Sequence, residues 1–131
     1  MPKTRVLLAD DNEQVLQYVC EFLSADSCEI IATVTNGQEA VHAAAKLLPD
    51  LVVLDISMPV LNGMQAAERI LAANRSLRII FLTATGDSDM VRAAFDLGAC
   101  GYVLKRRMAI DLYSAIEVAK NGGQFVSPGC D

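Results

Sequence analysis

The sequence is poor in several residue types and patterns, and each shortage excludes a class of protein. It has no tryptophan, one histidine and four cysteines in 131 residues. The cysteines form no CxxC pair and have no histidine close in sequence, so we expect neither a zinc site nor a disulfide framework. No apolar run approaches the ~20 residues that a membrane-spanning helix needs. The N-terminus also lacks a signal-peptide pattern, so we expect one cytoplasmic domain without membrane contact.

A basic surface is missing as well. The chain carries 16 acidic and 11 basic residues, which is a formal net charge of −5. Binding to nucleic acid requires a basic face that neutralises phosphates. The nearest candidate, Lys105–Arg107, is too short for that purpose. We therefore do not expect this chain to bind DNA directly.

The sequence does contain short apolar runs that alternate with segments of helical spacing, five times over. Three runs, Val6–Ala9, Leu51–Leu54 and Ile79–Leu82, are apolar at every position, which is typical of strands covered on both faces in a parallel sheet. The other two are Ile30–Val34 and Tyr102–Leu104. We predict an α/β fold of the (βα)₅ type. Its doubly wound, five-stranded parallel sheet should have the 2-1-3-4-5 order of flavodoxin-like folds.

Two helix ends have local signals. The segment Asn36-Gly37-Gln38-Glu39 has a capping-box pattern and predicts the start of the second helix. Gly98 predicts the end of the fourth helix, as the residue after its last turn. His42 lies in the second helical segment, away from every strand end, and we expect it to face solvent.

Polar side chains follow four of the five predicted strands. Asp10 and Asp11 follow the first strand, Asp55 the third, Thr83 the fourth and Lys105 the fifth. In a doubly wound sheet the ligand site lies beyond the carboxyl ends of the strands. We therefore expect three carboxylates, one hydroxyl and one ammonium to converge at one edge of the sheet.

Each of these residues alone has an ordinary structural explanation. An acid after a strand is often a helix N-cap, a role that Asp11 or Asn12 can fill. Thr83 alone would be a turn residue, and Lys105 alone a solvated charge. Their arrival at the ends of four strands favours a common site over coincidence.

A site of this composition favours metal-assisted chemistry on phosphate. Three carboxylates repel one another unless a cation is present, and a few hard oxygen ligands with several waters suit Mg²⁺. Asp55 projects from the central strand and is best placed to be a nucleophile towards phosphorus. Lys105 and Thr83 could each hold a phosphoryl oxygen.

Four segments, LLADDNE, LDISMPVLNG, FLTAT and GYVLK, resemble the response-regulator receiver domain of bacterial two-component systems. The resemblance runs from about residue 3 to residue 128. It implies that Asp55 is the phosphoacceptor and that Asp10 and Asp11 are the Mg²⁺-binding pair. Asp55 itself and the backbone carbonyl of Ser57 would complete the protein's share of the metal ligands.

The resemblance also implies roles for the residues around the acceptor. Thr83 and Lys105 would bind the phosphoryl group, while Pro59 and Gly63 would shape the loop after Asp55, with Gly63 free to adopt a positive φ. Tyr102 would be the switch aromatic, whose ring turns inward when Thr83 moves towards the phosphoryl oxygens. The alternative for Tyr102 is a half-buried strand tyrosine.

The resemblance implies a signalling domain that is not an enzyme beyond its own phosphorylation and dephosphorylation. The phosphoryl group would come from the phosphohistidine of a sensor histidine kinase or from a small phosphodonor. The ending GGQFVSP resembles the subfamily with a LuxR-type helix-turn-helix output, so the switched output would be transcription regulation. We expect residues 1–131 to be a single receiver domain, with its core at about 3–122 and a linker beginning at 123–131. DNA would be bound only through an output domain absent from this chain.

Other functions fit the sequence less well. A phosphohydrolase of the haloacid-dehalogenase kind needs a second acid where Ser57 stands, and an FMN carrier needs a Ser, Thr and Gly-rich loop in place of Asp10–Glu13. A receiver that signals by docking alone would usually lack one of the acids, the hydroxyl or the lysine. A homodimer stays open, because charges on the expected outer faces of the last two helices could pair between copies or be solvated. They are Asp87, Asp89, Arg92, Asp96, Asp111, Glu117 and Lys120.

Overall fold

The computed structural model describes residues 3–23 and 27–130. Strands and helices alternate along them as predicted. The strands are β1 (Thr4–Ala9), β2 (Cys28–Val34), β3 (Leu51–Leu54), β4 (Arg78–Thr83), β5 (Gly101–Leu104) and β6 (Phe125–Val126). The helices are α1 (Glu13–Leu23), α2 (Gly37–Leu47), α3 (Gly63–Ala73), α4 (Ser88–Leu97) and α5 (Met108–Lys120). A 3₁₀ turn (Lys105–Arg107) precedes α5.

The strands form one parallel sheet in the order β2-β1-β3-β4-β5-β6. The predicted doubly wound fold and the 2-1-3-4-5 order are confirmed, but the number of strands is wrong by one. The additional strand, β6, pairs Phe125 with Gly101 and Val126 with Tyr102. It lies within the segment 123–131, for which the sequence predicts a linker. Two residues are too few to show the alternation by which a strand is recognised in a sequence.

The central strands are apolar over Val6–Ala9, Leu51–Leu54 and Ile79–Leu82 because both faces of the sheet are covered there. In β1, Leu7 packs on the face that carries α2, α3 and α4, whereas Val6 and Leu8 pack on the opposite face with α1 and α5. In β3, Leu54 and Val53 divide between the two faces in the same way. The sheet is therefore the middle of three layers, and its polar groups are confined to the ends of the strands.

The helix caps differ in detail from the predicted ones. Asn36 Oδ1 accepts a hydrogen bond from the Glu39 N–H at 2.9 Å, as expected of an N-cap. The Glu39 carboxylate, however, accepts from the backbone N–H of Thr35 at 3.2 Å, so only half of the predicted capping box forms. A complete box begins α3 instead, where Asn62 and Gln65 each accept from the other's backbone N–H. The sequence Asn-Gly-Met-Gln at 62–65 has the same spacing, but the start of α3 was not predicted from it.

The structure also tests three predictions about single residues. Gly98 adopts a φ of 115° and ends α4, and His42 is exposed on α2, as predicted. The prediction that Asp111 lies on the outer face of α5 is wrong. Its side chain is buried and paired with Arg107, because the C-terminal segment covers this end of the helix. None of the described helices has the length and apolar character needed to cross a membrane.

Gly37 brings the start of α2 against the loop between β3 and α3. A Cβ atom at this position would lie 1.9 Å from the carbonyl oxygen of Leu61. The obstructing atom belongs to the backbone, so a rotamer change cannot relieve the overlap. This approach joins α2 to the loop that follows Asp55.

We predict that Gly37→Ala lowers the free energy of unfolding by about 1–3 kcal/mol, because either α2 or the loop must move. Urea denaturation measures the change. Gln38→Ala, at an exposed position in the same helical turn, is the matched control and should change stability by less than about 0.5 kcal/mol. Wild-type stability of Gly37→Ala would contradict the close approach.

Candidate functional site

Four strands deliver polar residues to one edge of the sheet. Ala9, the last residue of β1, pairs with Leu54 of β3, so Asp10 and Asp55 leave the sheet side by side. Thr83 ends β4 and pairs with Leu104 of β5, the residue before Lys105. The parallel register therefore places the ends of β1, β3, β4 and β5 next to one another, as the sequence predicts.

The three acids form a tight cluster. One carboxylate oxygen each from Asp10, Asp11 and Asp55 lie within 4.8 Å of one another. Asp10 and Asp55 are 1% and 4% exposed, whereas Asp11 is exposed. Two buried carboxylates this close are costly unless positive charge compensates for them.

Lys105 supplies positive charge from the end of β5. Its Nζ lies 2.8 Å from Asp10 Oδ2 and 3.3 Å from Asp55 Oδ2. The contact with Asp55 is a hydrogen bond, whereas the contact with Asp10 is an ion pair that lacks the orientation of one. Asp10 Oδ2 is therefore a buried oxygen with no hydrogen-bond donor.

The charges perturb one another's proton affinity. Burial, and then repulsion by Asp10, raises the pKa of Asp55 above its ordinary value, although Lys105 and the Ser57 N–H oppose the rise. Burial alone would lower the pKa of Lys105, but its contacts with Asp10 and Asp55 outweigh burial and raise that pKa. Lys105 therefore stays an ammonium, and the carboxylates remain under-compensated.

A helix cap fixes the orientation of the first acid. Asp10 Oδ1 accepts from the Asn12 N–H at 2.9 Å. Asn12 Oδ1 in turn accepts from the N–H groups of Gln14 and Val15 at 2.9 and 3.3 Å. Asn12 is thus the N-cap of α1, which answers the question that the sequence left open between Asn12 and Asp11. The Asp11 carboxylate is not needed for this cap.

The loop after Asp55 is shaped differently from the prediction. Gly63 does not have a positive φ; its Cβ would lie 2.0 Å from the Asp55 carbonyl oxygen, so lack of space requires the glycine. The positive φ, 70°, belongs to Val60, which is 79% exposed. Such a φ is strained for a β-branched residue. Ser57 is exposed, and its N–H lies 3.4 Å from Asp55 Oδ1.

Thr83 and Tyr102 lie on the β4 and β5 side of the cluster. Thr83 is buried at the end of β4. Tyr102 is fully buried rather than half-buried, and its hydroxyl donates to the Thr85 carbonyl at 2.6 Å. The centroid of its ring lies 6.4 Å from the centroid of the Phe81 ring, and the two ring planes make an angle of 53°. Burial raises the pKa of the Tyr102 phenol to about 12.

The donor set fits a hard divalent cation. Carboxylate oxygens are the ligands that Mg²⁺ takes in proteins, and exposed Asp11 leaves one side of the cluster open to water. The buried Asp10 Oδ2, which has no hydrogen-bond donor, is an oxygen that such an ion would satisfy. Asp10, Asp11 and Asp55 could therefore hold a metal ion.

One hydrogen-bonded group of side chains near Lys105 was not predicted from the sequence. The Asp111 carboxylate accepts from Arg107 Nε at 2.8 Å and from the Ser127 hydroxyl at 2.7 Å. The spacing of Arg107 and Asp111, four residues apart in a helical segment, was a usable signal. Ser127 gave none, since its contact depends on how the C-terminal segment returns to the sheet.

The comparisons with known proteins agree with this fold. Residues 6–117 match the family model described as the response regulator receiver domain. The chain belongs to this family and is the receiver domain of a two-component response regulator.

Its relatives include transcriptional regulators. The chain is 34% identical to the transcriptional regulatory protein LnrK of Bacillus subtilis (strain 168) over 125 residues, which is 95% of this chain and 57% of LnrK. It is 40% identical to the transcriptional regulatory protein PdtaR of Mycobacterium tuberculosis (strain ATCC 25618 / H37Rv) over 115 residues, 88% of this chain and 56% of PdtaR. The chain thus spans about half the length of the curated relatives it matches.

A solved structure agrees as well. A LuxR-family two-component response regulator from Aurantimonas sp. SI85-9A1 superposes with a TM-score of 0.92 at 28% sequence identity. The match covers 97% of this chain and 91% of that one. This similarity confirms the predicted resemblance to the LuxR-type subfamily.

We predict that Mg²⁺ stabilises the wild-type fold, by about 2.7 kcal/mol at a hundredfold excess over its Kd. Asp11→Ala should lose most of this increment and keep the fold, because Asp11 is exposed and Asn12 caps α1. Thermal unfolding with and without Mg²⁺ measures the increment. Glu13→Ala, which removes the same charge from an exposed neighbour, is the matched control and should retain it. An unfolded Asp11→Ala protein would show instead a structural role.

We predict that the stability contributed by the Tyr102 hydroxyl depends on pH only at the alkaline end. A phenol whose pKa is raised from 10.0 to about 12 in the fold stabilises it fully below pH 10 and loses that contribution as the pH rises to about 12. The difference in unfolding free energy between wild type and Tyr102→Phe should be constant below pH 10 and shrink above it. Denaturant titrations across this range test the prediction, and a constant difference up to pH 12 would refute it.

Proposed function

We propose that this receiver domain is switched by Mg²⁺-dependent transfer of a phosphoryl group to Asp55. The observation that carries the proposal is the Lys105 ammonium, held 3.3 Å from the Asp55 carboxylate within a cluster of three acids. A nucleophile, a fixed cation and a set of metal-binding oxygens are the parts that phosphoryl transfer requires.

The transfer forms one bond and breaks one. A carboxylate oxygen of Asp55 attacks phosphorus, and the bond from phosphorus to the donor's imidazole nitrogen breaks, with its electron pair leaving on the imidazole. The donor is the phosphohistidine of a sensor histidine kinase, or a small acyl phosphate whose P–O bond breaks instead. Asp10, Asp11, Asp55 and the Ser57 carbonyl would hold Mg²⁺, which would supply positive charge to the phosphoryl oxygens.

The protein's own groups prepare Asp55 for this reaction. The Ser57 N–H faces Oδ1 and Lys105 faces Oδ2, so both oxygens are oriented before the donor arrives. The raised pKa of Asp55 reflects a carboxylate whose charge is poorly solvated, and such a group is a better nucleophile than one that is fully hydrated. When the negative charge passes to the phosphoryl group, the Lys105 ammonium leaves the Asp55 carboxylate and contacts a phosphoryl oxygen.

The switch begins at Thr83 and is read at Tyr102. A phosphoryl group adds about two negative charges beside the end of β4, and we expect the hydroxyl of Thr83, which is buried at that end, to donate to it. Movement of Thr83 would change the β4–α4 loop, whose Thr85 carbonyl binds the Tyr102 hydroxyl. The change is then presented on α4, β5 and α5 to an output that regulates transcription.

The phosphodonor indicates the cellular compartment in which the reaction takes place. A kinase that supplies phosphohistidine draws on nucleotide and Mg²⁺, so we assign the step to the cytoplasm. A homodimer stays a prediction, and α4 offers exposed charge of both signs for it at Asp89, Arg92 and Asp96.

We predict that incubation with acetyl phosphate and Mg²⁺ adds about one phosphoryl group per chain, detected as a mass increase of the intact protein. Asp55→Asn should abolish the addition, because an amide is a poor nucleophile and leaves no acyl phosphate to form. Asp96→Asn makes the same change at an exposed position on α4 and should be labelled like the wild type. Equal labelling of Asp55→Asn would overturn the assignment of the acceptor.

A further inference from the structure

Lys105 lies at a strand-to-helix junction that lacks the usual caps. Leu104 ends β5, and the 3₁₀ turn that begins with Lys105 leads directly into α5. Neither Leu104, which precedes the turn, nor Arg107, which precedes α5, makes a side-chain capping hydrogen bond. Something else must fix the backbone on either side of Lys105, because uncapped helix starts leave N–H groups unsatisfied and tend to fray.

A buried hydroxyl and a buried carboxylate make hydrogen bonds on either side of Lys105. The Leu104 N–H donates to Ser127 Oγ at 3.1 Å, and the Ser127 hydroxyl donates to Asp111 Oδ2 at 2.7 Å. Arg107 donates to the same carboxylate through Nε at 2.8 Å and through its guanidinium NH₂ at 3.3 Å. Ser127 and Asp111 are 2% and 5% exposed. We call this group, Ser127, Asp111 and Arg107, the junction clamp.

The junction clamp makes hydrogen bonds to the chain on both sides of Lys105. Ser127 holds the residue before the lysine, and Asp111 holds the residue two positions after it. With both neighbours fixed, the direction in which the lysine leaves the backbone is fixed as well. Its side chain then meets Asp10 and Asp55 on the far side of the junction.

Ser127 is itself held by the sheet. Its N–H donates to the Tyr102 carbonyl at 2.9 Å, which continues the pairing of β6 with β5. Beyond it, the Cys130 side chain packs against the core near Gly86, in the loop between β4 and α4. The C-terminal segment therefore contacts β5 beside both Tyr102 and Lys105.

We propose that Ser127 and Asp111 are positioning residues, which aim Lys105 at the phosphoryl site and thereby couple the C-terminal segment to the state of Asp55. This inference rests on the proposed function. By reciprocity, a phosphoryl group that captures Lys105 must favour or oppose the closed clamp as strongly as the clamp affects the phosphoryl group. Residues 125–127 thus connect the chemistry to whatever follows them.

The test compares two ligands of the same site, with the full chain. Beryllofluoride with Mg²⁺ stands in for the phosphoryl group and engages Lys105, whereas Mg²⁺ alone engages the acids. Ser127→Ala should weaken beryllofluoride affinity by about 3- to 10-fold, as expected for one lost hydrogen bond, with Mg²⁺ affinity changed by less than about twofold. Ser114→Ala, an exposed serine on α5, is the matched control, and Ser127→Thr keeps the hydroxyl and should restore affinity.

A double-mutant cycle separates positioning from general destabilisation. In a Lys105→Ala background, Ser127→Ala should cause no further loss of beryllofluoride affinity, because there is no lysine left to aim. An equal loss in both backgrounds, or no loss in either, would overturn the inference. Asp111→Asn gives a second, independent cycle if Ser127→Ala folds poorly. Failure of the proposed function looks different: Lys105→Ala and Asp55→Asn would then bind beryllofluoride like the wild type.

Discussion

The rest of the site depends on the burial of two carboxylates beside one ammonium. Asp10 and Asp55 are almost completely buried, and Lys105 bridges them at 2.8 and 3.3 Å. Three acids against one lysine leave two negative charges uncompensated, and the cost of burying them appears in the raised pKa of Asp55. This cost makes the site responsive, because any group that brings positive charge or takes over the lysine changes the stability of the whole edge.

The fold keeps that cluster together by backbone contacts rather than by the charges themselves. Parallel register sets Asp10 beside Asp55 and Leu104 beside Thr83. Tight approaches at Gly37 and Gly63 then hold the loop after the acceptor against α2 and against the acceptor's own carbonyl. Apolar packing on both faces of the sheet stabilises the strands that present these polar ends. The chemistry is thus placed on rigid elements, while exposed Val60, at its strained φ, marks the part of the loop that faces solvent.

Two hydrogen-bonded connections lead away from the acids on the β5 side of the site. Tyr102 joins β5 to the β4–α4 loop through Thr85, and Ser127 joins the end of β5 to α5 through Asp111. Both connections meet the strand that carries Lys105. The chain spans about half the length of the curated relatives it matches. The C-terminal segment is thus tied by hydrogen bonds to the strand that precedes Lys105.

The amino-acid pattern was sufficient to predict the architecture and most of the residues of the candidate site. Fully apolar runs require a sheet covered on both faces, and polar residues at the ends of parallel strands must meet at one edge, so Asp10, Asp11, Asp55 and Lys105 could be brought together from their positions alone. Local signals also predicted the Asn36 cap and the end of α4 at Gly98. The contacts that depend on the approach of distant segments could not be predicted in this way and are visible only in the folded chain. Gly63 avoids a backbone carbonyl instead of adopting a positive φ, Asp111 is buried rather than exposed, and β6 adds to the sheet. Each of these depends on the space left between elements that are far apart in the chain, which no local pattern encodes.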